Sequence, residues 1–294
     1  MTRPQLLKPG DTVAILSPAS AVDPALIDGA VKALQSRGFN TKVMAHATGR
    51  KGTYSASAGE RLDDMRSALS DPAVKAILCS RGGYGAVDML GRLIPKPVWL
   101  IGFSDISALH ALWQSQGIMS IHGSMARHLA EFPADDPANH ALFQILCHGT
   151  QPAYSFTTHP LSRQGSVRGQ MIGGNLAVLA GLISTPYDML KPGRILVIED
   201  IAEPIYKVER ILHQLRLNGV LENLSGLLVG QFTEYRGDSN YTDMERMIAD
   251  MTAPYGYPVA LGAPFGHVDG NLPFVEGAEV TLNVSDSITT ITPA

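Results

Sequence analysis

Ser104 stands in Leu100-Ile101-Gly102-Phe103-Ser104-Asp105-Ile106-Ser107, where an apolar strand turns at a glycine and a helix begins. A serine at such a strand-to-helix elbow is lifted clear of a sheet. The N–H groups of the helix's first turn lack intrahelical acceptors and can face a developing oxyanion. This is the layout of an activated nucleophile, suited to acyl transfer. The competing reading is a plain helix N-cap, a position that serine favours. The choice depends on whether the chain also carries a base, an acid to orient it and an oxyanion hole.

For the base, His267 in Pro264-Phe265-Gly266-His267-Val268-Asp269-Gly270 sits on a glycine-flanked loop after a strand, where an imidazole can project into a cleft. His122, at the end of a short strand on the presumed active face, is its rival. His110 and His213 fall inside helices, where a structural role fits better. For the acid, Ile195-Leu196-Val197-Ile198-Glu199-Asp200 puts two carboxylates at the end of a buried strand, with Glu203 close behind. A carboxylate held there can orient a histidine N–H and stabilise the imidazolium. Equally, each of these acids could serve the dipole of the helix that opens near Tyr206, and spacing alone does not choose among them. The chain order serine, acid, histidine is one that hydrolase triads follow, although triads occur in several orders.

Arg81-Gly82-Gly83-Tyr84-Gly85 follows a strand, and its glycines let backbone N–H groups approach a ligand closely. It could form an oxyanion hole or cradle a phosphate. Asp88 stands where the third glycine of G-x-G-x-x-G belongs, and no Gly-Lys-Ser/Thr follows, which disfavours a nucleotide site. No histidine-glutamate spacing typical of a catalytic metal occurs, so neither a metal nor another cofactor is expected.

These residues need a rigid scaffold. The chain has 294 residues, 45% hydrophobic and 17% charged, with a formal net charge of −4 and no dense basic cluster. That composition supports a large core and argues against nucleic acid or an anionic membrane as partner. There is no secretory signal or membrane-length apolar run, and only two cysteines, Cys79 and Cys147, occur; the expected location is the cytoplasm. Strands near 13–16, 39–44, 74–78 and 98–101 alternate with helices near 24–36, 60–69, 86–93 and 106–116. This rhythm predicts a parallel sheet covered on both faces, with function at the strands' carboxyl ends. Residues 132–166 break into prolines, histidines and polar residues, with one short helical piece near 141–147. They read as a linker between an N-terminal nucleophile domain, 1–131, and a C-terminal domain, 167–294. The latter should be smaller and of mixed β/α type.

As a set, Arg81-Gly82-Gly83-Tyr84-Gly85, Gly102-Phe103-Ser104-Asp105, Gly173-Gly174-Asn175-Leu176, Glu199-Asp200 with Glu203 and Tyr206 to Arg210, and Gly266-His267 resemble the LD-carboxypeptidase family of serine peptidases. The resemblance runs over nearly the whole chain. It implies a flavodoxin-like α/β domain joined to a smaller β/α domain, and a triad of Ser104, Glu199 and His267, so it selects Glu199 over Asp200 and Glu203. It further implies hydrolysis of the amide before a terminal D-residue, as in D-alanine release from murein tetrapeptides during cell-wall recycling, and a homodimer. A related branch inactivates a peptide-nucleotide antibiotic.

On this reading the oxyanion meets the N–H groups of Gly83 and Asp105. Arg81 and Tyr84 lie at the substrate, with Arg81 either anchoring the terminal carboxylate or pinning the glycine loop. Two features depart from pattern: His122-Gly123-Ser124-Met125 stands where many murein-recycling members carry Gly-Pro-Met, and Ile106 occupies the second glycine position of G-x-S-x-G. The elbow must turn without that glycine. The other functional classes that the residues allow are a nonenzymatic small-ligand receptor and a nucleotide or sugar-phosphate enzyme using Gly82-Gly83.

Overall fold

A computed structural model describes residues 1–149 and 151–294. The chain divides into two compact units, Met1–Thr150 with Leu272–Val275, and Gln151–Asn271 with Glu276–Ala294.

In the first unit the order is β1 (Thr12–Leu16), α1 (Pro24–Gln35), β2 (Asn40–Val43), α2 (Ala58–Ser70), β3 (Val74–Cys79), β4 (Trp99–Gly102), α3 (Ser107–Ser115), β5 (Ser120–His122), α4 (Ala126–Glu131) and α5 (Pro137–His148). The parallel strands lie in the order β2-β1-β3-β4-β5, and the short strand Phe274–Glu276 adds at the β5 edge. The five-strand order is that of the flavodoxin-like doubly wound fold, in which ligands bind at the carboxyl ends near the switch between β1 and β3. Consecutive residues Val13, Ala14, Ile15 and Leu16 are all fully buried, which requires cover on both faces of the sheet. Local signals start the helices. Asp23 caps α1 ahead of Pro24, and Ser57 with Glu60 forms a capping box on α2.

Two local expectations differ from the structure. In place of a helix over 86–93 there is a single 3-10 turn, Ala86–Met89, because Leu90 turns extended, Gly91 takes φ +73 and Pro95 follows. The stretch 132–166, expected to be a linker, carries the twelve-residue α5, and this helix belongs to the first unit. Asp136 caps it, Pro137 opens it, and Ala138, Ala141, Leu142 and Ile145 bury its apolar stripe. The polar residues that suggested a break are the cap and the solvated face.

In the second unit the order is β6 (Tyr154–Thr157), β7 (Gly165–Asn175), α6 (Leu176–Ala180), β8 (Arg194–Ile201), α7 (Ile205–Leu217), β9 (Gly226–Thr233), α8 (Met244–Thr252), β10 (Val259–Gly266), β12 (Ala278–Val284) and β13 (Ile288–Pro293); β11 (Phe274–Glu276), between β10 and β12 in the chain, is the short strand of the first sheet. Its seven strands run β10-β9-β8-β7-β12-β13-β6. The first four are parallel and the rest pair antiparallel, giving a mixed sheet. Strand β7 escaped the sequence because four glycines lower its β propensity; pairing on both sides with β8 and β12 makes it a central strand. Among the described residues, no helix is long and apolar enough to cross a membrane.

Candidate active site

Ser104 follows β4 and takes φ +66 at the start of a 3-10 turn, Ser104–Ile106, that runs into α3. A non-glycine residue in that region costs about 1–3 kcal/mol and persists only where its surroundings hold it. Here they do. The γ carbons of the fully buried Ile106 lie 3.0 Å from where a Cβ on Gly102 would stand, so the glycine before the serine makes room for the isoleucine after it. The elbow is thus built by Gly102 and Ile106 together, without the second glycine. His110, fully buried and kept neutral by desolvation with its pKa lowered to about 3, donates from Nε2 to the Gly102 carbonyl at 2.8 Å and receives the Ser120 hydroxyl at Nδ1.

The glycine loop after β3 reaches this elbow. A Cβ on Gly82 would lie 2.8 Å from the Ser104 Cβ and 3.1 Å from its Oγ, so only glycine permits the approach. Ser20, on the loop after β1, ties the glycine loop from the other side: its N–H donates to the Gly82 carbonyl at 3.1 Å, and its Oγ accepts from the Tyr84 N–H at 3.2 Å. Gly83 takes φ +97, and a Cβ there would overlap the Ser20 hydroxyl. Loop and elbow therefore adjoin, with Gly83 and Asp105 in the neighbourhood of Ser104. The Asp105 side chain is buried and accepts from the Ala86 N–H at 2.8 Å; burial pushes its carboxyl up, opposed by that hydrogen bond and by the charge of Arg61. Arg81 donates from Nη1 to the Ala21 carbonyl at 3.0 Å, the contact expected of a residue pinning the loop, while Tyr84 stands 60% exposed. The rival histidine, His122, is fully buried, with its ring stacked on Phe274 at 4.6 Å and tilted against Phe103 and His110. That is the setting of a core residue.

In the second unit, Glu199 near the end of β8 and His267 just after β10 are brought together. The Glu199 Oε2 accepts from His267 Nδ1 at 2.7 Å; the carboxylate is fully buried and the imidazole side chain is 16% exposed. Strands β8 and β10 are not neighbours, and two strand spacings amount to roughly 10 Å. Three features close that gap. Gly230 on the intervening β9 has no side chain, and a Cβ there would lie 3.2 Å from the Glu199 Cβ. Gly266 takes φ +121 and lets the loop close on the carboxylate. The β8–β9 register shifts between Ile198 and Asp200, a local irregularity of the kind that re-aims side chains beside functional sites. With Nδ1 donating to the carboxylate, the neutral ring carries its lone pair on Nε2.

Asp200 has a different task. Its Oδ1 accepts from Asn175 Nδ2 at 2.8 Å and from the Ile201 N–H at 2.9 Å, and its Oδ2 accepts from the Ala177 N–H at 2.9 Å. Asn175 in turn caps α6 through the Val178 N–H. Asp200 thus joins the end of β8 to the Gly173-Gly174-Asn175 turn. Burial, helped by the charge of Glu199, raises its pKa to about 6 against those hydrogen bonds. Glu203 pairs with Lys207 at 3.3 Å along the surface.

Two charged side chains went unnoticed in the sequence. Glu276 is fully buried, accepts from the Gly173 N–H at 3.0 Å and is held well above the usual carboxylate range by desolvation. Arg61 is buried on α2. Its spacing to Met65 and Ala68 on the apolar face was a usable signal, since i, i+4 and i+7 share one side of a helix.

Residues 13–123 match the LD-carboxypeptidase N-terminal domain and residues 168–282 the LD-carboxypeptidase C-terminal domain. The murein tetrapeptide carboxypeptidase of Pseudomonas aeruginosa is 31% identical over 286 residues, covering 92% of each chain. The crystal structure of muramoyltetrapeptide carboxypeptidase from Oxalobacter formigenes superposes with a TM-score of 0.84 at 26% identity, covering 96% of this chain and all of that one. The microcin C7 self immunity protein MccF shares the fold, with a TM-score of 0.88 at 22% identity over 100% of this chain and 99% of its own.

Proposed function

Since the chain belongs to the LD-carboxypeptidase family, we propose that it is a serine carboxypeptidase that cleaves the amide before a terminal D-amino acid, releasing D-alanine from murein tetrapeptides. The observation that carries this reading is the buried Glu199–His267 hydrogen bond, which suits His267 Nε2 to the role of base, together with the strained serine elbow that suits a nucleophile. The relatives named for murein tetrapeptides share more sequence with the chain than the microcin immunity protein does, and this favours the murein substrate.

The mechanism needs the Ser104 hydroxyl and the His267 imidazole to meet over the scissile carbonyl. His267 Nε2 takes the Oγ proton as Oγ bonds to the carbonyl carbon, and Glu199 stabilises the imidazolium. The tetrahedral oxyanion accepts from the N–H groups of Gly83 and Asp105, the latter in the first turn of its helix where no preceding turn supplies an acceptor. Collapse breaks the C–N bond, and the imidazolium returns its proton to the departing amine. The acyl group then sits as an ester on Ser104. Water attacks it with His267 again as base, freeing the tripeptide carboxylate and the serine hydroxyl. Arg81 or Tyr84 meets the terminal carboxylate or the peptide beside the glycine loop. A role in cytoplasmic cell-wall recycling and a homodimeric state complete the reading, both carried by family resemblance.

A fluorophosphonate tests the chemistry. Stoichiometric labelling at Ser104 that disappears in Ser104→Ala, together with D-alanine release from an L,D-tetrapeptide, supports the assignment. Folded wild-type protein that takes no label and releases no D-alanine overturns it.

A further inference from the structure

We propose that Arg61 is a positioning residue for the nucleophile elbow: it grips the Gly85–Ala86 peptide, which in turn fixes Asp105 beside Ser104. The inference rests on Ser104 being the nucleophile.

The side chain of Arg61 is 2% exposed. A guanidinium so far from water must satisfy its donors within the protein, or its burial is severely unfavourable. Its Nη1 donates to the Pro18 carbonyl at 2.6 Å and to the Gly85 carbonyl at 2.7 Å. Its Nε donates to the Ala56 carbonyl at 3.2 Å, and its Nη2 meets Asp88 Oδ2 at 2.6 Å. The ring of Tyr54 covers it, with 4.9 Å from the guanidinium carbon to the ring centroid. One side chain therefore ties together the loop after β1, the segment before α2 and the glycine loop after β3. This also accounts for Asp88, the residue that spoils the dinucleotide fingerprint: it is the counter-charge of Arg61.

The same peptide unit is held at both ends. The Gly85 carbonyl accepts from Arg61, and the Ala86 N–H of that peptide donates to Asp105 Oδ2 at 2.8 Å. A cation on the carbonyl polarises the amide and strengthens its N–H as a donor. Asp105 is the residue after Ser104, and its own N–H is one of the two donors assigned to the oxyanion. Moving the Gly85–Ala86 peptide would shift both that donor and the strained serine. Gly85 itself takes φ +124, and a Cβ there would lie 2.7 Å from Arg61 Nη1, so the glycine is what admits the guanidinium. Lysine cannot replace the fork, because one ammonium nitrogen cannot span carbonyls on several sides with fixed directions.

The test is the second-order rate at which a small fluorophosphonate, lacking any peptide, labels Ser104; this reads nucleophile and oxyanion geometry and not substrate binding. Arg61→Lys is expected to lower the rate about 100-fold, the scale of an ångström-sized displacement of reacting groups. Because Arg61 and Asp105 act through one peptide, Asp105→Asn added to Arg61→Lys should cost little more than the worse single change. A folded Arg61→Lys protein labelled at the wild-type rate, or single effects that multiply in the double variant, overturns the proposal. Should Arg61→Lys fail to fold, Asp88→Ala decides, since it alters a partly exposed residue and removes only the acceptor of Nη2: a several-fold slower labelling supports the proposal and a wild-type rate overturns it. Wild-type protein that takes no label at Ser104 defeats the nucleophile assignment itself, which is a separate failure from that of Arg61.

Discussion

A Cβ placed on Gly266 would lie 3.0 Å from the Cβ of Glu199 and 3.1 Å from its Oε2, so the residue that delivers His267 has no room for a side chain on the face it turns to the acid. The same glycine has φ +121, outside the range that L-residues adopt readily. Gly266→Ala is therefore expected to push the loop away from the carboxylate and lengthen the 2.7 Å hydrogen bond. Turnover should fall about 100-fold, accompanied by a stability loss of about 1–3 kcal/mol. Steady-state hydrolysis of an L,D-tetrapeptide and thermal denaturation measure the two effects. Unchanged turnover would show that the loop does not set the geometry of the base.

On the proposed mechanism the two neighbouring acids have separate roles. Glu199→Gln presents the wrong group to His267 Nδ1 and removes the charge that stabilises the imidazolium; a loss in kcat of about 10⁴-fold is expected, the scale seen when a triad carboxylate becomes an amide. Asp200→Asn leaves the histidine pair in place and disturbs the Asn175 turn, so its effect on kcat should be far smaller. The opposite ranking would mean that the acid has been misassigned.

Strain at Ser104 gives a prediction about stability. Its φ of +66 suits glycine, so Ser104→Gly should abolish labelling and hydrolysis yet raise the free energy of unfolding by about 1 kcal/mol. Ser104→Ala, which keeps a Cβ at the same φ, should abolish activity without that gain. Melting curves of the two variants side by side provide the check.

Asp200 makes stability depend on pH. Its pKa rises from an ordinary 3.8 to about 6, mainly through burial, so the folded protein holds a proton that the unfolded chain has released across that interval. Stability from this group is complete below the unfolded value and is lost as pH rises through about 6. Asp200→Asn removes the titration. The difference in unfolding free energy, variant minus wild type, should therefore climb between the two pKa values and level off above them. Denaturant titrations over that range would refute the assignment if the difference stayed flat.

Much of the framework was readable because it is written in local pattern. The period of apolar residues located most of the parallel strands of the first unit, and Asp23-Pro24 and Ser57-x-x-Glu60 mark helix starts wherever they occur. Local pattern failed where the local reading and the tertiary one diverge. Over 137–148 the pattern showed a helical piece near 141–147, while polar composition masked its first turn and the buried stripe of Ala138, Ala141, Leu142 and Ile145 that ties it to the first unit. Along β7 four glycines argued against a strand that two neighbouring strands nevertheless hold in place.

The serine elbow is written locally, since strand, glycine, serine and helix start lie within a few consecutive residues whose backbone preferences act over that distance. The sequence also supplied His267 on a permissive loop. Spacing left the acid open and family resemblance pointed to Glu199; the physical pairing exists only in the fold, because Glu199 is 68 residues away and reaches His267 across a strand that carries glycine at the crossing point. Glu199 and Asp200 are adjacent in the chain and alike in charge, and what separates them is the direction each takes from an irregular strand end. The carbonyl partners of Arg61 were settled in the same way. A guanidinium can sit inside the protein only where loops remote in sequence turn their carbonyls toward it, and no run of neighbouring residues encodes that convergence.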